Sequence, residues 1–168
     1  MRASPDTTTR TLRLPDVAAT ARLAGALADL VRQGDVIGLG GTLGAGKTTL
    51  ARALINALAR RGGAPGEEVP SPTFTLVQAY DLPGITVSHF DLYRIEQPEE
   101  VFELGLDDAI ADGVVLIEWP ERLDGLLPAD RLDLVLSPGP GPDERIAELT
   151  GHGAWADRLE ELSDDDLS

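Results

Sequence analysis

Val36-Ile37-Gly38-Leu39-Gly40-Gly41-Thr42-Leu43-Gly44-Ala45-Gly46-Lys47-Thr48-Thr49-Leu50 holds an apolar run, a glycine-rich turn and the start of a helical repeat. Val36 to Leu39 reads as a short buried strand. From Thr48 to Arg61, Leu50, Leu54 and Leu58 recur at spacing four, which predicts an amphipathic helix stopped by Gly62-Gly63. Between them Gly41 to Thr48 spells G-x-x-x-x-G-K-T, the P-loop pattern, in the strand–loop–helix context that gives it meaning. Gly41, Gly44 and Gly46 allow the backbone to turn its amides inward as an anion nest at a helix N-terminus. Lys47 is then placed for the β- and γ-phosphates of a nucleotide, and the Thr48 hydroxyl for Mg²⁺.

Lys47 is the only lysine in the chain, against 13 arginines. A chain that uses arginine for every other positive charge keeps one compact ammonium at the position where a planar guanidinium is too broad to fold back into a ring of amides. A glycine-rich turn matching the motif by chance does not account for that choice.

Working outward, a phosphate-binding loop of this kind needs an acid at the end of a neighbouring strand. Two apolar runs end in one: Ile85 to Phe90 leads into Asp91, and Val114 to Ile117 into Glu118. One acid is expected to hold the metal, the other to orient the attacking water or share the metal shell. Glu118 is the first choice for the metal and Asp91 for the water, with the reverse assignment left open. Ser71-Pro72-Thr73 places two hydroxyls about a rigid residue, readable as a segment that senses the γ-phosphate or as the ordinary start of a strand. Tyr93 and Trp119 adjoin the two acids and are expected to fill the core, as is His89. His152 and Trp155 carry no interpretable signal.

The remaining elements are expected as follows. A strand covers 11–14, and a helix covers 17–32 with Asp16 as its N-cap. A hairpin spans 74–90, a short helix 98–104, two closing strands 131–136 and 145–150, and a terminal helix 154–162. Residues 1–10 read as a flexible N-terminus, 11–162 as one domain and 163–168 as an acidic tail. Strands interleaved with helices predict a three-layer α/β domain on a mixed, mostly parallel sheet of six or seven strands.

Composition narrows the function. The 168 residues contain no cysteine, which excludes disulfides and thiolate metal sites. No apolar run is long enough to span a membrane and the N-terminus shows no secretory h-region, so the expected location is the cytoplasm. A net charge of −15 argues against independent nucleic-acid binding, which requires a basic face. A role in a nucleic-acid pathway is therefore expected to run through protein partners. The single asparagine, Asn56, lies within a predicted helix, so the N-K-x-D guanine motif is absent and ATP is the expected nucleotide.

Leu43-Gly44-Ala45-Gly46-Lys47-Thr48-Thr49-Leu50, Ser71-Pro72-Thr73-Phe74-Thr75-Leu76-Val77, His89-Phe90-Asp91-Leu92-Tyr93-Arg94, a short Glu103-Leu104-Gly105 segment and Ile117-Glu118-Trp119-Pro120-Glu121 occur in this order. Together they resemble the bacterial TsaE (YjeE) family over roughly residues 12–150. The resemblance implies an ATPase that supports threonylcarbamoyladenosine modification of tRNA by acting on the TsaB and TsaD proteins, without itself modifying the tRNA. It implies phosphate contacts from Gly44, Ala45, Gly46, Lys47, Thr48 and Thr49, in the loop that also holds Gly41 and Leu43. It further implies Mg²⁺ at Thr48 and Glu118, a need for Asp91 in hydrolysis, a switch role for Thr73, and adenine near Leu14-Pro15-Asp16. Thr42 stands where the family usually has aspartate, a difference that bears on bracing of the loop and leaves the phosphate contacts untouched. With no obvious arginine finger near the loop, a low intrinsic rate is expected. A small-molecule kinase, and a nucleotide-gated binding module with negligible hydrolysis, are the alternative readings. The first is weakened by the lack of an arginine-rich lid.

Overall fold

The structure, a computed structural model, describes residues 7–42, 44–63, 76–123 and 125–162. Seven strands form one sheet in the order β1-β7-β6-β2-β5-β4-β3. They are β1 (Thr7–Leu14), β2 (Val36–Gly41), β3 (Val77–Leu82), β4 (Ile85–Asp91), β5 (Val114–Glu118), β6 (Arg131–Pro138) and β7 (Arg145–His152). The central β6, β2, β5 and β4 run parallel, and antiparallel pairs close both edges. The helices are α1 (Val17–Ala28), α2 (Lys47–Arg61), α3 (Glu100–Glu103), α4 (Leu106–Asp112) and α5 (Ala154–Glu160). The expected α/β fold with a mixed sheet, parallel at its centre, is the one observed.

Strands buried on both faces read as unbroken apolar runs rather than alternating ones, and β5 shows why. Val114 and Leu116 belong to the core beneath α1, α2 and α5. Val115 and Ile117 belong to a second core with Phe90, Val101 and Leu106 on the opposite face. The two cores clamp the central strands in register, so that Leu39 of β2 stands beside Glu118 of β5, and Glu118 beside Asp91 of β4. Three neighbouring strands thus deliver their C-terminal ends to one edge, where ligands bind in open α/β sheets.

Several boundaries differ from the sequence reading. The first strand begins at Thr7 and pairs along its whole length with β7, so residues 7–10 belong to the sheet and not to a flexible end. Its threonines gave no apolar signal because the stabilising groups are backbone amides. The first helix stops at Ala28, where the Leu30 N–H tightens onto the Leu27 carbonyl at 2.9 Å in a three-residue turn. The segment after residue 98 holds two helices instead of one, divided at Gly105, whose φ of +89° suits glycine. The second, α4, escaped notice because it is short and buries only Leu106. The expected tail, 163–168, lies outside the described residues. No helix among the described residues is long and apolar enough to cross a membrane.

Candidate functional site

The loop after β2 is shaped by what a side chain would strike. A Cβ on Gly41 would come within 2.4 Å of the Leu136 carbonyl oxygen, and its φ is +131°. Gly46 caps α2 at φ +102° and accepts the Leu50 N–H at 2.9 Å, which starts the helix and leaves the earlier amides free of helical bonds. The Ala45 N–H bonds the Thr42 carbonyl at 3.1 Å. From β7, Arg145 Nε donates to the Ala45 carbonyl at 3.1 Å. A brace on the loop therefore comes from an arginine remote in sequence. No local motif points to Arg145, because the sheet pairing alone brings it close.

Lys47 opens α2 and is only 5% exposed. Its Nζ donates to the carbonyls of Gly41 (2.6 Å) and Thr42 (3.4 Å) and lies 3.4 Å from the centroid of the Trp119 ring. Burial pushes this ammonium below the usual lysine range, and Glu118, Glu121 and Asp91 oppose the shift. The next residue, Thr48, donates its hydroxyl to Glu118 at 2.9 Å and 3.1 Å. On its other side Glu118 meets His89 Nε2 at 2.7 Å. An ionised carboxylate only accepts, so Nε2 carries the hydrogen. His89 is fully buried and its Nδ1 has no hydrogen-bond partner among the described residues. The expectation of His89 as core filling thus misses half its role: it packs, and it also orients Glu118.

Asp91 ends β4 one strand from Glu118 and accepts the Tyr93 N–H at 3.1 Å. Together Lys47, Thr48, Thr49, Asp91 and Glu118 line a cleft of about 390 Å³ with Gly44 and Gly46. Tyr93, Arg94 and Trp119 line it as well. Tyr93 is 41% exposed and packs its ring 4.9 Å from that of Trp119. Neither aromatic is simply core, which corrects the sequence expectation. Trp119 holds φ +62°, a conformation that is an outlier for so bulky a residue. Arg94 was named in the sequence only as the end of the His89-to-Arg94 motif, with no role of its own.

The donors suit a hard cation. Thr48, Glu118 and Asp91 offer only oxygen. That pattern fits Mg²⁺, which keeps waters and phosphate oxygens in its shell rather than an all-protein cage. Asp16 stands apart from the cleft. Its carboxylate caps α1 by accepting the Ala19 N–H at 2.9 Å. The first turn of that helix, at Val17 and Thr20, borders Gly46 and Thr49 across a small gap of about 70 Å³. Leu43, Ser71 and Thr73 lie outside the described residues.

A larger cavity of about 550 Å³ opens between β2, β6 and the segment after Pro120. Its Asp133 is already paired with Arg131 and His152, each at 3.0 Å, and neither Lys47, Thr48 nor either strand-end acid reaches it. The sequence-predicted site residues that are described gather at the smaller cleft instead.

Fold and cleft define an α/β protein with a glycine-rich loop at a helix N-terminus and two acids at neighbouring strand ends. The family model for "Threonylcarbamoyl adenosine biosynthesis protein TsaE" matches residues 14–145. The chain belongs to the TsaE family, whose role is in tRNA threonylcarbamoyladenosine biosynthesis. It is 37% identical to the Bacillus subtilis tRNA threonylcarbamoyladenosine biosynthesis protein TsaE, covering 92% of both chains. To the Rickettsia conorii protein of the same name it is 35% identical over 79% of this chain and 74% of that one. The crystal structure of Bacillus subtilis YdiB superposes with a TM-score of 0.77 at 30% identity, over 95% of this chain and 97% of that one.

Proposed function

We propose that the protein binds and slowly hydrolyses ATP with Mg²⁺ in the cleft between α2 and the ends of β4 and β5, and that this turnover acts on the TsaB–TsaD pair in the cytoplasm. The observation that carries the reading is the Thr48–Glu118–His89 chain beside a buried Lys47. Lys47 now satisfies its ammonium on its own loop carbonyls and on Trp119. Phosphate oxygens replace those partners with stronger, charge-assisted ones. Glu118 and Thr48 would hold a cation, which would supply neutralisation of phosphate charge. Asp91, with Glu118 beside it, orients the water that attacks the γ-phosphate. The base lies toward Val17 and Thr20, where the 63%-exposed Val17 offers an apolar plate.

The acidic chain supports action through proteins: a net charge of −15 opposes a tRNA-binding face. The test is a pull-down with TsaB–TsaD, with and without ATP and Mg²⁺, using the wild-type protein and Lys47→Ala. A nucleotide-dependent complex that Lys47→Ala loses supports the reading. Absence of both nucleotide binding and complex formation rejects it. A complex that forms and functions with ATP while Asp91→Ala abolishes turnover favours the binding-module alternative.

A further inference from the structure

Leu92 and Ile95 are buried, 0% and 4% exposed, while Tyr93 and Arg94 between them face solvent. The turn is pinned at several points. The Leu92 N–H bonds the Glu118 carbonyl at 3.1 Å, the Tyr93 N–H bonds Asp91 Oδ1 at 3.1 Å, and the Ile95 N–H returns to the Leu92 carbonyl at 3.2 Å. The backbone of Arg94 is thereby fixed to the two strand-end acids, and its side chain lines the cleft with Lys47 and Thr48.

The other arginines close by have tasks. Arg145 bonds the loop carbonyl of Ala45, and Arg122 lies 5.8 Å over the Tyr93 ring. Arg94 has no hydrogen bond or ion pair among the described residues. An arginine on a rigid turn, lining the cleft and unpaired among the described residues, is available to a ligand.

Charge supplies the work. A magnesium-bound triphosphate carries about two net negative charges. Glu118 and Asp91 add to that excess inside the cleft, and Lys47 is the single ammonium to set against it. Phosphoryl transfer spreads further charge over the three equatorial oxygens of the moving group, where a guanidinium in the same chain can serve as an arginine finger. We propose that Arg94 is that group: a catalytic arginine supplied in cis, which contacts the transferring phosphoryl group and acts mainly in the transition state. This rests on the cleft being a nucleotide site, and it assigns the arginine that no motif around the loop supplies.

The test compares wild type, Arg94→Ala and Arg94→Lys for Mg²⁺-dependent binding of ADP, ATP and ADP with aluminium fluoride, a mimic of the transferring phosphoryl group, alongside turnover. Arg94 is exposed, and an unchanged thermal midpoint verifies folding. The expected result is wild-type affinity for ADP and ATP in both variants, within about threefold. The gain in affinity that wild type shows on adding aluminium fluoride is lost in Arg94→Ala and mostly lost in Arg94→Lys, because a point charge cannot reproduce the planar fork. Turnover falls by ~10³ in Arg94→Ala. Retention of the aluminium fluoride gain by Arg94→Ala overturns the proposal. So does an equal loss for all three ligands, which marks a ground-state binding residue, or a wild type that binds ATP but shows no gain. A wild type that binds no nucleotide overturns the underlying site reading as well.

Discussion

On the α2 side of the cleft the polar groups are already engaged: Lys47 with two loop carbonyls, Thr48 with Glu118, Glu118 with His89. Beside it, Tyr93 and Arg94 stand exposed on a turn whose backbone is fixed; the Tyr93 ring rests on Trp119, and the Arg94 side chain has no hydrogen bond or ion pair among the described residues. On the first wall Lys47, Glu118 and His89 are buried and Thr48 half-buried, so these groups must pair with one another when no phosphate is present, since an unpaired buried polar group is costly. The second borders water and can wait. Such an arrangement stores a formed grip for the ground state on one side. It leaves the other side able to respond as the reaction proceeds or as a partner arrives.

The strongest way to break this comparison is to disable one acid from each strand end. Asp91→Asn is expected to lower turnover by ~10²–10⁴, the usual contribution of a group that handles the attacking water, with ATP affinity nearly unchanged. Glu118→Gln, which disturbs the wall containing Thr48, is expected to raise the Mg²⁺ concentration needed for half-saturation by ~10–100-fold. Steady-state turnover and a Mg²⁺ titration of nucleotide binding separate the two. If Asp91→Asn instead shifts the Mg²⁺ requirement and Glu118→Gln does not, the roles are reversed.

The engaged wall was largely legible in the sequence, and the waiting wall was not. Gly41 to Thr48 is a local motif whose strand and helix flank it directly, so loop, lysine and hydroxyl could be placed without a fold. Asp91 and Glu118 were each legible as the acid that ends an apolar run, although their adjacency needed the register of β4 on β5. Arg145 and His89 act on the site through sheet neighbours distant in the chain, at sequence separations of 100 and 29 residues. Spacing rules carry no information at that range. Arg94 and Tyr93 were hidden for another reason: burial decides whether an aromatic or an arginine is structural or available, and burial depends on which of Leu92 to Ile95 the fold turns inward. The same cause lies behind the overlooked threonine strand, where backbone pairing acts in place of an apolar pattern.

The ammonium on the engaged wall gives a smaller, pH-dependent test. Burial lowers the Lys47 pKa below 10.5 in the free protein, and bound phosphates raise it again by supplying negative charge. Binding then favours the protonated form. Affinity is at its full value below the free-protein pKa and falls as pH rises through it, by about tenfold per unit until the pKa of the complex is reached. Measuring ATP affinity from neutral pH upward is expected to show the decline begin below 10.5, and the decline should be absent in Lys47→Ala. An onset at or above that value means that the cleft does not desolvate the lysine.

The smallest effect concerns the helix that borders the grip from outside. Asp16 lies next to Val17, beside the gap where the base is proposed to rest, but its carboxylate is committed to the Ala19 N–H. Asp16→Ala is therefore expected to cost about 1 kcal/mol of folding stability, the usual loss of an N-cap, read as a lower urea midpoint with unchanged slope. ATP affinity should change only slightly, because α1 remains packed on α2 through buried Leu23 and Leu27. A fall in ATP affinity out of proportion to the stability loss, with no matching fall for inorganic triphosphate, assigns Asp16 to the base rather than to the cap. That result makes the start of α1 a third wall of the cleft, engaged like the first and open like the second.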